Sequence, residues 1–246
     1  AFPLIHDDKG MDRNAIWYGM KYYMKNQYGN LPQSPVENPG KDLFFKRILF
    51  AQYPQSIQGI GTYIERFVNG NLDNSWVYIN ALRRTRRLTG SAWMDPIDGS
   101  DWLSDDFQGM SGHPAWYPNI EYKETKTILR PVRREGAGKP WDEQGGKLEN
   151  QFQAIAYQAP NYCAPSSSYY EWVPDKVHVL EVTVPDKHPY STRTLHLSPK
   201  YWDYPINFTY DKNGEFWKVV FLGNMLMESE DGVLGLVGDS GMSFDV

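Results

Sequence analysis

The chain has 246 residues, a formal charge of −5 and 41% hydrophobic residues, and it carries 9 Trp, 17 Tyr and 11 Phe. That charge argues against a general nucleic-acid binder, for which a basic domain is expected. The single Cys163 excludes an internal disulfide, and the sequence holds no apolar run of about 18 residues that could cross a bilayer as a helix.

The chain is long enough for one large β-rich domain or two small ones, and its aromatic weight favours sheets, wide pockets and membrane-proximal surfaces. Its start, AFPLIHDDKG, lacks the basic and apolar regions of an export signal, so the chain reads as mature, processed or a fragment. Asp12 is a candidate cap, and Ala15, Ile16, Met20, Tyr23 and Met24 recur near the helical period, which predicts a helix over 12–27. Gly, Pro and Asn make 28–41 a loop. Periodicity leaves 43–53 open between strand and helix. Alternation predicts strands over 61–68 and 76–88, with Asn69-Gly70-Asn71 as the turn between them.

The second of these strands carries Arg83, Arg84, Arg86 and Arg87, with Arg84 and Arg86 expected on one face and Arg83 and Arg87 on the other. In one reading the guanidiniums pair with Asp95, Asp98, Asp101, Asp105 and Asp106 of the acidic, turn-rich 95–118 segment. In the other they grip an anionic head group, a carboxylate or a partner surface; nucleic acid fits least. Asp95, Asp98 and Asp101 also offer an oxygen-rich turn of the kind Ca²⁺ takes. Their spacing is not that of an EF-hand, Pro96 removes a donor, and pairing with arginine is the plainer reading. A strand over 121–130 and a polar loop over 135–146 follow. Cys163 has no adjacent His or second Cys to activate it and reads as a small, partly buried residue.

From 177 to 222 the runs VHVLEVTV, STRTLHL, YPINFTY and EFWKVVFL succeed one another across short turns, the pattern of a four-stranded antiparallel meander. His178, Leu180, Val182 and Val184 share a face of the first run, and Tyr204, Ile206, Phe208 and Tyr210 one of the third. Asp211-Lys212-Asn213-Gly214 has the residues of a hairpin loop, and Pro185, Pro189 and Pro199 punctuate the earlier connections. His6, His113, His178, His188 and His196 show no metal-ligand spacing; His178 and His196 could face each other, although satisfied sheet histidines are the plainer reading. Gly238-Asp239-Ser240-Gly241 looks like a protease nucleophile motif without its strand context or matching His, and it is read as part of a flexible tail over 224–246. No catalytic residue, metal site or cofactor is expected.

The run WVYINALRRTRRL from Trp76, Ser100-Asp101-Trp102 with Asp105-Asp106-Phe107-Gln108-Gly109, and the C-terminal blocks from Lys176, His188-Pro189-Tyr190-Ser191-Thr192-Arg193 and Tyr210 to Lys218 resemble the DUF1329 family of bacterial envelope proteins. The resemblance runs from about residue 16 to 220 and makes the glycosylation sequon Asn207-Phe208-Thr209 idle. It implies an α+β fold similar to LolA and LolB: a curved antiparallel sheet, an incomplete β-barrel, wrapped around one or more helices and enclosing an apolar cavity. It further implies a single β-rich domain over 1–246, the C-terminal part of a longer precursor, in the periplasm and associated with the outer membrane of a Gram-negative bacterium.

The function implied is non-catalytic binding of a lipid-like or other hydrophobic ligand, with Tyr204, Ile206, Phe208, Tyr210, Leu180 and Val182 as cavity candidates. The alternative is an interaction subunit of a larger envelope assembly, in which Arg83, Arg84, Arg86 and Arg87 dock a protein partner and no small ligand is bound.

Overall fold

A computed structural model describes residues 4–7, 10–14, 16–24, 42–97, 101–133, 170–228 and 234–245. The chain divides into two compact units, Ala1–Asp95 and Pro96–Val246. Asp98 and Cys163 lie outside the described residues.

In the first unit β1 (Leu4–Asp7) and β2 (Gly10–Asn14) form a hairpin. A five-stranded antiparallel sheet follows in chain order: β3 (Ile16–Tyr23), β4 (Leu43–Tyr53), β5 (Gly61–Phe67), β6 (Asn74–Ile79) and β7 (Arg84–Arg87). Where a helix was expected over 12–27, the described residues 12–14 and 16–23 are therefore strand. The residues that fit a 3.6 period sit among Trp17, Tyr18, Tyr22 and Tyr23, whose rings suit a pleated surface, and pairing with β4 along the whole length of β3 decides the matter. The strand expected over 76–88 is a hairpin: it breaks at a 3-10 turn over Asn80–Leu82 and turns back at Arg83, whose φ is 48°. Arg83 thus lies on no strand face.

The second unit is a six-stranded antiparallel sheet in the order β13-β12-β11-β10-β9-β8. Its strands are β8 (Asn119–Arg133), β9 (Tyr170–Thr183), β10 (Thr192–Leu197), β11 (Ile206–Tyr210), β12 (Phe216–Glu228) and β13 (Leu234–Asp245). The four-strand meander read from the sequence is β9 to β12, and its last turn forms as expected: the Asp211 carboxylate accepts from the backbone of Asn213 and Glu215, both at 2.8 Å, and Gly214 takes a φ of 84°. The segment 224–246, expected to be a flexible tail, instead supplies the end of β12 and all of β13, which pairs with β12 from Lys218↔Asp245 to Glu228↔Leu234.

The sheet stays open but curls. Three strands separate β8 from β12, yet the two approach each other, and the rings of Trp172 on β9 and Phe221 on β12 meet edge-on at 5.8 Å. Helical structure among the described residues is limited to short 3-10 segments, so the helix around which the sheet was expected to wrap is not found there.

One face of the second sheet closes over a buried polar knot. The 3-10 segment Ser104–Gly109 presents Asp105 and Asp106, both within 1% of full burial, to Arg193 on β10. Arg193 donates to Gly109 O at 2.8 Å and to Asp106 at 3.3 Å, and forms an ion pair with Asp105 at 2.9 Å. Asp105 also accepts from Gly112 N and Tyr117 Oη, and Asp106 from Leu103 N at 2.9 Å and Tyr190 Oη at 2.7 Å. Lys218 of β12 donates to the Asp101 carbonyl and lies 3.9 Å over the Trp217 ring. The two acids expected beside the Arg83 to Arg87 cluster therefore belong to Arg193. Gly109 is required where it stands, since its φ is +84° and a Cβ there would lie 2.7 Å from both Asn207 Nδ2 and the Tyr204 Cβ.

His188 is wholly buried in this knot. Its Nδ1 accepts from Tyr190 N at 3.1 Å, so the ring proton sits on Nε2 and is donated to Asp105 at 3.2 Å. A second proton would confront the Tyr190 N–H. Burial pushes the His188 pKa down, with Asp105 opposing and Arg193 reinforcing. Burial alone would raise Asp105, but Arg193 and then the bonds from His188 and Tyr117 hold it below its usual value. Both groups resist protonation in the fold, so stability is complete above the unfolded His value of about 6.5 and is lost as pH falls below it, with Asp105 adding a further loss in the carboxylate range. The urea midpoint is expected to drop between about pH 8 and pH 5, and His188→Gln to flatten that slope; an equal slope in the variant would contradict this assignment.

Candidate ligand-binding face

The first sheet buries one side and shows the other. On the covered side lie Leu43, Phe45, Ala51 and Ser75, each no more than 4% exposed. Phe45 is flanked there by Lys21 Nζ at 4.2 Å and the Arg66 guanidinium at 5.3 Å, and Arg66 closes a two-bond pair with Asp73 at 2.9 and 2.7 Å.

The other side is aromatic. The register places Met20, Ile48, Tyr63, Trp76 and Arg87 in one row across all five strands. A neighbouring row runs Tyr18, Phe50, Gly61, Tyr78 and Thr85. Antiparallel sheets commonly leave one face to water, but that face is then polar. Here Tyr18, Met20, Ile48 and Tyr78 are 52%, 69%, 43% and 39% exposed. The rings are ordered against one another, Tyr18 on Phe50 at 6.1 Å and Tyr63 on Trp76 at 5.5 Å. A polar row bounds them: Tyr22, Lys46, Glu65 and Asn74, in which Lys46 and Glu65 are 4.0 Å apart. Tyr63 Oη donates to Glu65 at 2.8 Å; burial first, then that bond, pushes its pKa up to about 12, so it is a neutral donor. Gly61 leaves a gap between Phe50 and Tyr78, as among the described residues nothing but Leu49 O and Phe50 Cβ, both at 3.6 Å, would neighbour a Cβ there. A glycine inside a strand marks a place where something can approach closely.

The residues selected from sequence are split by the structure. Leu180 pairs with Leu195 and Val182 with Arg193, in rows that continue to Asn207 and Thr209 and so lie on the side of the buried knot. Ile206, Phe208 and Tyr210 point to the opposite side, half-buried, where Phe208 meets His196 at 5.2 Å and Phe216 at 5.6 Å. Tyr204 precedes β11, packs beside Gly109, and has its pKa raised by burial. The six therefore line no single surface.

His178 and His196 do not face each other, because His196 pairs with Val179 and His178 with Leu197; His178 Nδ1 instead meets Thr125 Oγ1 at 2.7 Å, and His196 Nδ1 donates to Ile206 O at 2.8 Å. Arg84, Arg86 and Arg87 are exposed on β7, the edge strand, and none of the four arginines forms an ion pair with a described residue. Arg84 and Arg86 belong to the face opposite the aromatic rows, and Arg87 to the aromatic face. Sequence reasoning missed Tyr18, Met20 and Ile48 as ligand candidates; once 16–23 is read as a strand, the alternation of Tyr18, Met20 and Tyr22 is the signal. Among the described residues there is no cluster of three metal-ligating side chains, and no helix is long and apolar enough to cross a membrane.

A family model described as a protein of unknown function, DUF1329, matches residues 10–238. The chain belongs to the DUF1329 family. The fold of this DUF1329 protein is similar to that of a Vibrio parahaemolyticus domain assigned to outer membrane lipoprotein sorting, at 14% identity and a TM-score of 0.60, covering 98% of this chain and 74% of that one. It is also similar to a DUF1329 protein from Desulfovibrio piger, at 13% identity and a TM-score of 0.52, covering 94% and 75%. A LolA-superfamily protein from Nitrosomonas europaea aligns at 12% identity over 81% of this chain and 70% of that one, with a TM-score of 0.39. No curated protein matches the chain.

Proposed function

We propose that this DUF1329 protein is a non-catalytic binder of a hydrophobic, lipid-like ligand in the bacterial envelope, periplasmic and associated with the outer membrane. The ligand lies on the aromatic face of the five-stranded sheet rather than on the meander face. The observation that carries this reading is the pair of rows with Tyr18, Met20, Ile48 and Tyr78 open to solvent. A contiguous exposed apolar patch on a folded protein is a binding surface by default, because leaving it in water costs about 25 cal/mol per Å².

The fold supports the reading, since the Vibrio relative of the same fold is assigned to lipoprotein sorting. The buried knot supports the non-catalytic part: its carboxylates, His188 and Tyr190 are bonded to one another and closed to solvent, so no substrate reaches them. The test is organic extraction of the purified protein followed by mass spectrometry. An apolar molecule that co-purifies reproducibly, and is absent from a preparation of the Ile48→Asp variant, is the expected result; identical extracts from the two would count against the face assigned here.

A further inference from the structure

We infer that the ligand is a single-chain amphiphile with an anionic head of one unit charge, a fatty-acid carboxylate, whose chain lies along Met20, Ile48, Tyr63 and Trp76 and whose head meets Arg87. The inference rests on the hydrophobic-ligand reading above and adds the polarity of the bound molecule. The row crosses five strands spaced about 4.8 Å apart, giving an apolar strip of four residues about 14 Å long with a cation one strand beyond its end. Of the ten residues in the two rows, Arg87 alone is charged.

Arg87 is also poised to take a head group. Asn74 Oδ1 accepts from its Nη2 at 2.6 Å, and the guanidinium lies 6.0 Å from the Trp76 ring centroid, so it is oriented without being neutralised by any described carboxylate. Leu88 N donates to Ser75 O at 2.8 Å, which fixes the alternation of the β6–β7 ladder. The backbone N–H groups of Thr85 and Arg87 consequently point out from the open sheet edge, beside the guanidinium, where they can serve the same head. The Thr85 side chain adds a hydroxyl on the aromatic face.

One guanidinium balances one negative charge, which favours a carboxylate over a phosphate monoester. An extended anionic membrane fits less well: it attracts clusters of basic side chains, whereas this face offers one unpaired cation among its described residues, on a chain of net charge −5. Arg84 and Arg86, on the other face, have no part in the site.

The test is calorimetric titration below the micellar range with dodecanoate, dodecanol and dodecyltrimethylammonium, against the native protein, Arg87→Gln, Arg87→Lys and the Arg84→Gln/Arg86→Gln pair, each first shown to melt cooperatively. Dodecanoate is expected to bind tightest. Arg87→Gln is expected to weaken it about tenfold or more while leaving dodecanol unchanged, the size of a lost charge-assisted bond. Arg87→Lys should restore much of the loss, and the double variant should behave as native. Equal binding of the anionic and cationic chains, or no effect of Arg87→Gln, would overturn the head-group assignment and leave chain binding standing. Failure of all three chains to bind would sink the hydrophobic-ligand reading itself. Sedimentation with phosphatidylglycerol vesicles without binding of monomeric dodecanoate would replace the single amphiphile by a membrane surface.

Discussion

Replacing Arg193 by Met is expected to destabilise the protein by about 3–5 kcal/mol, the range for removing one member of a buried charged group. Arg193 is 1% exposed and serves Asp105, Asp106 and the Gly109 carbonyl together. Without it two carboxylates sit a residue apart, out of water, with only neutral donors and Lys218 nearby. Arg193→Lys should be nearly as costly, because a point charge cannot span three acceptors as the planar fork does. A domain of ordinary stability has about 5–15 kcal/mol in all, so the variant is expected to populate partly unfolded states at room temperature. Urea unfolding with an unchanged slope and a strongly lowered midpoint is the expected readout. Arg84→Met, on the exposed edge, should move the midpoint by less than about 0.5 kcal/mol. Equal midpoints for the Arg193 and Arg84 variants would show that the knot does not hold the second unit together.

The second large effect is on binding. Ile48 sits in the middle of the apolar row, paired with Met20 on one side and Tyr63 on the other, and is 43% exposed. Ile48→Asp therefore costs the fold little, since a surface carboxylate stays hydrated until something covers it. When an alkyl chain lies across it, the carboxylate must give up water without a partner, a penalty of several kcal/mol that corresponds to a loss of affinity of more than about a hundredfold. Gly61→Leu should weaken binding by a different route, filling the gap between Phe50 and Tyr78 without adding charge. If Ile48→Asp binds an alkyl chain as well as the native protein does, the row is not the site.

The two sheets differed in how far they could be read in advance. The meander was legible because Tyr204 to Tyr210 and Val177 to Val184 alternate cleanly and Asp211-Lys212-Asn213-Gly214 admits few conformations other than a tight hairpin. The strand β3 was not, because Ala15, Ile16, Met20, Tyr23 and Met24 satisfy the helical period as well, and the pairing that settles it lies with β4, which begins only at Leu43. The strand β13 carries Gly235, Gly238 and Gly241, which weaken any strand signal; its order comes from lying against β12.

The site suffered from the same non-local dependence. Asp105 and Asp106 were grouped with the arginines nearest in sequence, but their partner is Arg193, more than eighty residues on. The family wording around Asp105, His188 and Lys218 turns out to mark this knot, a structural requirement that says nothing about the ligand. Leu180 and Val182 were joined to Ile206 and Phe208 on apolar character alone; only the register shows that they point to opposite sides.

The most direct measurement of where a ligand sits is a titration of isotopically methyl-labelled protein with dodecanoate, following the Met20 and Ile48 methyl resonances in the native protein and the Met20 methyl in Ile48→Asp. Saturable shifts are expected at both native methyls, with no shift at Met20 in the variant. Shifts confined to Ile206 and its neighbours on the meander face, with Met20 and Ile48 unmoved, would contradict it.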